Sequence, residues 1–210
     1  LGGRPELPPN ADWPERKAYP DHHKRVKSHQ EDSVAPDTRW RWAKPEQAQR
    51  IREEALQHVQ RLQNPFPLNF LGQINFAQVW AAGAVDEDFP RNGVLSVFFD
   101  LVEQPWGYEP ADACALAVLF HENAANLAAR ELPEALQQLP EQWQTPAQVV
   151  ELYACCTPLP METAQWDALE LELTEEQEDD FSEWSHDEAE NGASTGGADV
   201  CCHRIGGWPT

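Results

Sequence analysis

The chain opens with Leu1-Gly2-Gly3-Arg4-Pro5 and closes with Ile205-Gly206-Gly207-Trp208-Pro209-Thr210, so one aliphatic-Gly-Gly-x-Pro pattern occurs twice. Glycine accepts positive φ and lets another backbone approach closely, while the residue before a proline is pushed toward an extended conformation. Two unrelated turns would give the same letters, since Gly-Gly and x-Pro pairs are common in turns. The alternative is one duplicated supersecondary unit, in which the glycine pairs occupy equivalent places in two halves.

Four motifs in order carry a family resemblance. They are GGRPELPPNADWP at residues 2–14, NFLGQINFAQV at 69–79, PRNGVLSVFFD at 90–100 and HRIGGWP at 203–209. With Trp106-Gly107 following the third motif, the chain resembles the YwqG-like family of bacterial proteins, a domain of unknown function. The resemblance implies an α+β fold with an internal pseudo-repeat, and it brings no established activity and no catalytic residues.

The resemblance also sets the expected organisation of the chain. We expect residues 1–210 to form a single domain of two pseudo-repeated halves related by a pseudo-twofold, with antiparallel-rich sheets and a few peripheral helices. Residues 15–44 show no helical or strand period and are interpreted as a variable insertion, and residues 165–199 form an acidic segment outside the motifs. Because the sequence begins and ends inside motifs, we expect it to be the core of a longer polypeptide.

Hydrophobic periodicity predicts the individual elements. Strands are predicted at 68–74 and 94–99, with a short helix at 76–82 between them. The apolar run 113–120 predicts a buried strand, with a helix as the alternative. The composition of 149–156 leaves helix and strand open, and the resemblance favours a strand. A capping-box pattern beginning at Thr174 predicts a helix through about Trp184.

The clearest helical pattern begins at Pro45, which suits a first turn. Apolar residues recur from there at three- and four-residue spacing as far as Asn64-Pro65. The pattern predicts a helix that buries one stripe and exposes the opposite face. The buried stripe is predicted to contain Ile51, Ala55, Val59 and Leu62, and the exposed face Arg50, Glu53, Glu54 and Gln57.

Charge is distributed unevenly along the chain. The net charge is −21, and residues 1–61 hold twelve of the fifteen Lys and Arg residues against ten acids. Residues 62–210 hold three basic residues against twenty-six acids, a balance of −23. Such a surface repels nucleic acid phosphates and anionic lipid heads and attracts a basic protein. A coat that keeps the protein in solution is the alternative. No run of about 18 apolar residues occurs, so no membrane span is expected.

The acids are densest at residues 170–190, where eleven of the twenty-one positions are Asp or Glu. Glu176, Asp180 and Glu183 have the spacing of one helix face. The alternating Leu and Glu of residues 169–173 predict a half-exposed strand. Because a calcium loop of the D-x-D-x-D-G kind does not occur, a basic protein is the predicted partner.

Two aromatic residues, Phe181 and Trp184, lie among these acids. They would either join the core or serve as apolar anchors for the partner. The predicted partner-binding residues are Glu170, Glu172, Glu176, Asp180, Glu183, Trp184 and Asp187.

The cysteines are Cys114 and two adjacent pairs, Cys155-Cys156 and Cys201-Cys202. An odd number does not make a disulfide framework and fits a reducing cytoplasm. Adjacent cysteines also lack the C-x₂-C spacing of zinc knuckles, so no metal site and no cofactor are predicted.

Histidine motifs give no catalytic assignment. His22, His23 and His29 cluster loosely beside Lys and Arg and are interpreted as solvated loop residues, with metal ligation as the alternative. Cys202 and His203 are adjacent in sequence, but a nucleophile and its base must converge in space. No catalytic residue is therefore assigned.

The two glycine turns would line a cleft if the two halves face each other. The predicted lining is Gly3, Trp13, Gln73, Asn75, Gly207 and Trp208. Tight packing of both turns against a sheet is the alternative, and we favour it.

The favoured function is a cytoplasmic, non-enzymatic acidic domain that binds a basic protein, with no nucleic acid or membrane partner. Genes of the YwqG-like family are often associated with bacterial toxin systems, so the resemblance implies an immunity protein or antitoxin and a toxin as the partner. The alternative is a small-molecule-binding or enzymatic domain that uses the cleft. A passive scaffold or dimer module is the third candidate.

Overall fold

Helices alternate with short antiparallel sheets in the computed structural model, which describes residues 1–83, 87–152 and 159–191. This architecture confirms the predicted α+β class with antiparallel sheets. The chain divides into two compact units. The first contains Leu1–Asn75 and Asn92–Val150, and the second contains Phe76–Arg91 and Glu151–Thr210. Gly206-Gly207 lies outside the described residues, so the pseudo-twofold repeat stays a prediction.

The elements follow one another in short segments. The strands are β1 (Glu6–Leu7), β2 (Glu15–Arg16), β3 (Phe66–Pro67), β4 (Asn69–Asn75), β5 (Val94–Phe99), β6 (Leu116–His121) and β7 (Ala128–Ala129). The α-helices are α1 (His22–Ser33), α2 (Pro45–Gln63), α3 (Phe76–Ala82), α4 (Glu134–Gln137), α5 (Ala164–Asp167) and α6 (Glu175–Asn191). Short 3₁₀ helices occupy Asp37–Trp40, Pro110–Ala115, Ala124–Asn126 and Glu141–Trp143.

The main sheet has the antiparallel order β4-β5-β6, and the pairs β1-β7 and β2-β3 form two small ribbons. The predicted strands at 68–74 and 94–99 and the predicted helix at 76–82 are confirmed as β4, β5 and α3. In the run 113–120 the strand β6 begins only at Leu116, after a 3₁₀ turn. Its alternate residues Leu116, Val118 and Phe120 are exposed, so the prediction of a buried strand is wrong on that face.

The amphipathic pattern of α2 is confirmed. The helix runs from Pro45 to Gln63, with Ala48, Ala55, Val59 and Leu62 buried, and the four residues predicted on its outer face are exposed. Ile51 is only partly buried. At its first turn the Lys44 backbone N–H donates to Gln47 Oε1 at 2.9 Å, which is the half of a capping box that does not need an acceptor on the N-cap side chain.

Residues 15–44, the predicted variable insertion, contain a helix although their sequence shows no helical period. This helix is α1, and it packs against α2. Arg25, Val26 and His29 lie on its inward side. Val26 is fully buried, and the other two are partly buried. Polar residues on the inward face erase the hydrophobic period, which is why the sequence does not reveal this helix.

The core of the first unit forms around these elements. Tyr19, Val26 and Leu62 are buried between α1, α2 and Ala115, while Leu7, Leu68, Phe70 and Phe98 form a second cluster. Trp13 packs edge-on against Phe98, with 5.5 Å between ring centroids, and its Nε1 donates to the Leu68 carbonyl at 2.9 Å.

The first glycine pair has the backbone role that its sequence predicts. Gly2 and Gly3 have φ of +63° and +74°. Gly3 N donates to Thr145 O at 2.7 Å, and a Cβ on Gly2 would lie 2.2 Å from the Pro146 carbonyl oxygen. Close packing of this turn against a second backbone segment therefore requires glycine.

Two predicted strands are absent from the places where the sequence suggests them. Residues 149–152 have no strand structure and are exposed, and residues 153–158 lie outside the described part of the chain. Residues 169–173 are also not a strand, and Glu170 has a φ of +49°, which is incompatible with extended structure. Alternation of Leu and Glu alone does not make a strand where no neighbouring strand is paired with it.

The second unit contains α3, α5 and α6 among its described residues. The predicted capping box at Thr174 is confirmed, because Thr174 N donates to Gln177 Oε1 at 3.0 Å and Gln177 N donates to Thr174 Oγ1 at 3.4 Å. The helix it starts extends beyond Trp184 to Asn191. None of the helices among the described residues has both the length and the apolar character needed to span a membrane.

Candidate functional site

A network of buried charges joins the segment before α1 to the end of β5. Both carboxylate oxygens of Asp100 accept hydrogen bonds. Oδ2 accepts from Arg16 Nε at 2.5 Å and from the Tyr19 hydroxyl at 2.9 Å. Oδ1 accepts from the backbone N–H groups of Val102 and Glu103. The side chains of Arg16 and Asp100 are each 1% exposed. A buried carboxylate with this many donors is fully compensated.

Arg16 also closes the C-terminal end of α2. Its Nη1 donates to Asn64 O at 3.0 Å and its Nη2 donates to Arg61 O at 2.9 Å. The last carbonyls of a helix have no partner within the helix and carry the negative end of its dipole, so a guanidinium there is favourable. Arg16 thus ties β2, α2 and the end of β5 together.

Arg25 of α1 extends the network toward the surface. Its guanidinium donates to Asp21 Oδ1 at 2.8 Å, Glu103 Oε1 at 3.3 Å and Asp112 Oδ1 at 2.5 Å, and it lies 4.2 Å from the centre of the Tyr19 ring. The hydrogen bond from Arg25 holds the pKa of Asp112 below its usual range. Burial works against the charge of Arg25, but the hydrogen bonds that Arg25 donates to its three carboxylate partners raise its pKa overall.

The two ionisable groups of this region that are potential nucleophiles are held protonated. Burial first, and then the negative charge of Asp100, raise the pKa of Tyr19 far above its ordinary value. Burial likewise raises the pKa of the free thiol Cys114, whose Sγ donates to Ala111 O at 3.3 Å. A nucleophilic role needs a lowered pKa or an adjacent base, so both side chains fit a structural role.

At its outer end the network meets a pair of imidazoles. His58 Nε2 of α2 lies 2.6 Å from Glu103 Oε2 in a hydrogen bond, and the rings of His29 and His58 stack with centroids 4.1 Å apart. Burial, followed by the charge of His58, lowers the pKa of His29. His22 and His23 stack on each other instead, with 3.9 Å between centroids, so the cluster of three predicted from sequence divides in the fold.

Sequence reasoning missed His58, Glu103 and their connection to His29. A signal for His58 was present, because it precedes Val59 and lies three residues after Ala55, at the border of the apolar stripe of α2. Glu103 had no such signal. Its place is fixed by the turn after β5, whose backbone N–H groups bind Asp100.

The acidic segment lies in the second unit and comprises the residues just before α6 and most of α6 itself. The sequence predicts that Glu170, Glu172, Glu176, Asp180 and Glu183 bind a partner, and their carboxylates are all exposed. The backbone of Asp187 lies in α6, and its side chain is outside the described part of the chain. Because α6 is a helix, the spacings of four and three residues place Glu176, Asp180 and Glu183 on one face, as predicted.

Aromatic side chains form a row beside these acids. Trp166 of α5 contacts Phe181 at 4.7 Å between ring centroids, and Phe181 contacts Trp184 at 5.5 Å. Phe181 is partly buried, whereas Trp184 is 50% exposed. Leu169 and Leu171 at the approach to α6 are exposed as well. The segment therefore combines carboxylates with an apolar surface.

The residues predicted to line a cleft have internal roles where they are described. Gln73 holds β1 in place: it donates to Glu6 O at 2.6 Å and to Ser96 Oγ at 2.8 Å, and its Oε1 accepts from Glu6 N. Gly3 and Trp13 pack within the first unit, and Asn75 ends β4. Gly207 and Trp208 lie outside the described residues, so a cleft between repeats stays a prediction.

A small pocket in the first unit lies between Phe70, Leu136 and Trp143. Polar side chains that line it already make hydrogen bonds within the protein. Asn69 Nδ2 donates to Trp143 O and Thr145 Oγ1 donates to Phe70 O, both at 2.9 Å. These bonds fix the segment after α4 against β4. They leave little polar capacity for orienting a ligand.

The fold and these sites define an α+β domain with an internal charge network and an exposed acidic helix. The chain belongs to the family described as domain of unknown function DUF1963, which matches it over residues 1–210. No curated protein and no solved structure matches the chain.

Proposed function

We propose that this chain is a non-enzymatic protein-binding domain that uses its acidic segment, residues 170–190, to bind a basic protein. The observation that carries the proposal is the half-exposed Trp184 on a helix whose described carboxylates, from Glu175 to Glu183, are exposed. Large aromatic anchors surrounded by charge are typical of protein interfaces, where Trp is enriched among the residues that dominate affinity.

The charge of α6 itself favours a cationic partner. Acids at Glu175, Glu176 and Glu178 suit the positive end of the helix dipole, but no basic residue lies in its last turn. Like charges four residues apart, such as Glu176 with Asp180, each cost roughly 0.2–0.5 kcal/mol. A basic surface bound along this face would relieve that repulsion.

The balance of −23 over residues 62–210 supports the same partner at longer range. Charge of one sign over a large surface accelerates the encounter with an oppositely charged protein. The YwqG-like resemblance adds the class of partner. Because genes of that family are often associated with bacterial toxin systems, we infer a cytoplasmic immunity or antitoxin role, with a basic toxin such as a nuclease as the target.

The proposal is tested by capture from a lysate of the native host at low and high salt. Wild-type protein should retain a basic protein at low salt and release it at high salt, because salt screens the attraction. The triple variant Glu176→Lys, Asp180→Lys, Glu183→Lys should lose it. Trp184→Ala should weaken retention with charge unchanged.

A matched variant with the same change in net charge is Glu31→Lys, Glu53→Lys, Glu54→Lys. These acids are exposed on α1 and α2 of the first unit. The matched variant should capture the partner nearly as wild type does. Equal loss in both triple variants would show that only net charge matters, and equal capture by all variants would overturn the proposal.

A further inference from the structure

His29, His58 and Glu103 place three metal-ligating side chains together in the first unit. One ligand atom from each lies within 4.8 Å of the other two. They come from three separate segments: α1, α2 and the turn after β5. The site is far along the sequence from the acidic segment and lies in the other unit, so it is independent of the proposed function.

We propose that these three residues bind a zinc ion. Two imidazoles and one carboxylate form a donor set used by zinc sites that keep a fourth position open for water or substrate. Closed structural zinc sites use four protein ligands, usually with cysteine. The site therefore fits an ion that remains accessible to a small ligand.

The hydrogen bond between His58 and Glu103 marks the place of the ion. The two hydrogen-bonded atoms, Nε2 and Oε2, are 2.6 Å apart, and zinc would take the place of the proton that such a bond requires. With zinc–ligand distances of about 2.0–2.1 Å in a tetrahedral site, neighbouring ligand atoms lie about 3.3 Å apart. Replacing the proton by zinc thus requires these two atoms to separate by about 0.7 Å, a movement within the reach of side-chain rotation.

Glu103 is already oriented as a ligand. Arg25 Nη1 donates to its Oε1 at 3.3 Å, and Asp21 and Asp112 fix Arg25 in turn. This arrangement directs Oε2 toward His58. Outer hydrogen bonds of this kind orient metal ligands and tune affinity.

His29 has a ring nitrogen that can serve as a metal ligand. Among the described residues its ring makes no hydrogen bond, and its position is set by stacking on His58. The side chains of His58 and Glu103 are 16% and 13% exposed, which leaves a route for an ion while keeping most of the site out of water. A hydrogen-bonded His–Glu pair without metal is the alternative.

The test uses the full 210-residue chain, stripped of metal and reduced, with Zn²⁺ alone as the probe. Competition with a chelator should give one zinc per chain. X-ray absorption should show a shell of nitrogen and oxygen at roughly 2.0–2.1 Å without sulfur at about 2.3 Å. Sulfur in that shell would assign the ion to cysteines and overturn the proposal.

His29→Ala is the primary variant because it leaves the hydrogen bonds of Arg25, His58 and Glu103 intact. Loss of a ligand should lower zinc affinity at least about 100-fold, beyond the roughly 10- to 100-fold typical of outer-shell changes. Glu103→Gln is the second variant, since it keeps the size of the side chain. Both should retain the wild-type circular dichroism spectrum.

The control variant is His22→Ala, His23→Ala, which removes the other stacked imidazole pair of α1. It should bind zinc as tightly as wild type. Wild-type affinity in His29→Ala or Glu103→Gln, or an equal loss in the control, would overturn the proposal. Failure of the wild-type chain to retain zinc against the chelator would also overturn it.

Discussion

At the scale of single residues, Asp100 connects segments that are far apart in sequence. Arg16 lies 84 positions before it, and both side chains are buried at 1% exposure. Neither residue has a local pattern that indicates burial, because charged residues are ordinarily exposed. Only the fold brings these two residues together, so the sequence alone does not reveal the pair. By contrast, the glycine pair at residues 2–3 indicates its backbone role directly.

We expect Asp100→Ala to lower the free energy of unfolding by about 3–5 kcal/mol, because it leaves Arg16 buried without its counter-charge. Urea denaturation measures the change. Glu131→Ala is the control, since it removes the exposed Arg4–Glu131 pair and should cost less than about 1 kcal/mol. Similar costs for the two variants would contradict the central place of Asp100.

The second residue prediction concerns Gly2. A methyl group there meets the Pro146 carbonyl oxygen at 2.2 Å, and the positive φ adds strain of about 1–3 kcal/mol for a residue with a Cβ. Gly107→Ala is the matched control, because Gly107 also has positive φ and nothing lies within 4 Å of the added atom. Thermal or urea unfolding should show Gly2→Ala as the more destabilised protein, and the reverse order would refute the close packing.

At the scale of elements, the sequence predicts the helices and strands whose apolar residues recur with a regular period. It does not predict the helix that lacks such a period. The helix α2 and the strands β4 and β5 follow their hydrophobic periods, and α6 begins at its capping box. By contrast, α1 presents Arg25 and His29 inward, so it carries no apolar stripe. The Leu–Glu alternation at 169–173 has strand period but no strand, because pairing depends on tertiary contacts that a local pattern does not contain.

Leu62→Ala tests the buried face of α2. Leu62 is 0% exposed, and its truncation should cost on the order of 2–4 kcal/mol of unfolding free energy. Leu56 lies on the same helix and is 52% exposed, so Leu56→Ala should cost far less. Chemical denaturation of the two variants gives the comparison. A near-zero cost for Leu62→Ala would mean that this face is not core.

At the scale of the whole molecule, the repeated aliphatic-Gly-Gly-x-Pro pattern predicts two similar substructures. The first turn packs against residues 145–147, and the second lies outside the described residues. An experimental structure of the complete chain should place Gly206-Gly207 in an equivalent turn when the two halves are superposed. If the two turns fall on unrelated elements, the duplication is wrong.

Charge is the other property of the whole molecule, and the binding account depends on it. The proposed partner-binding residues follow from the sequence because acidity, unlike the His29–His58–Glu103 cluster, is visible in composition. The structure adds that the carboxylates from Glu170 to Glu183 are exposed and that Trp184 beside them is half-exposed. Acidity alone would equally suit a solubility coat, so rates of association decide between the two.

The most direct measurement is the association rate between the chain and its captured basic partner across a salt series. Reversal of Glu176, Asp180 and Glu183 to Lys should slow association severalfold or more and flatten its salt dependence, because steering is screened beyond about 8 Å at physiological salt. The fold should be preserved, since repulsion among exposed acids is relieved. An unchanged rate and an unchanged salt slope would contradict the account and leave the acidic segment as a solubility coat.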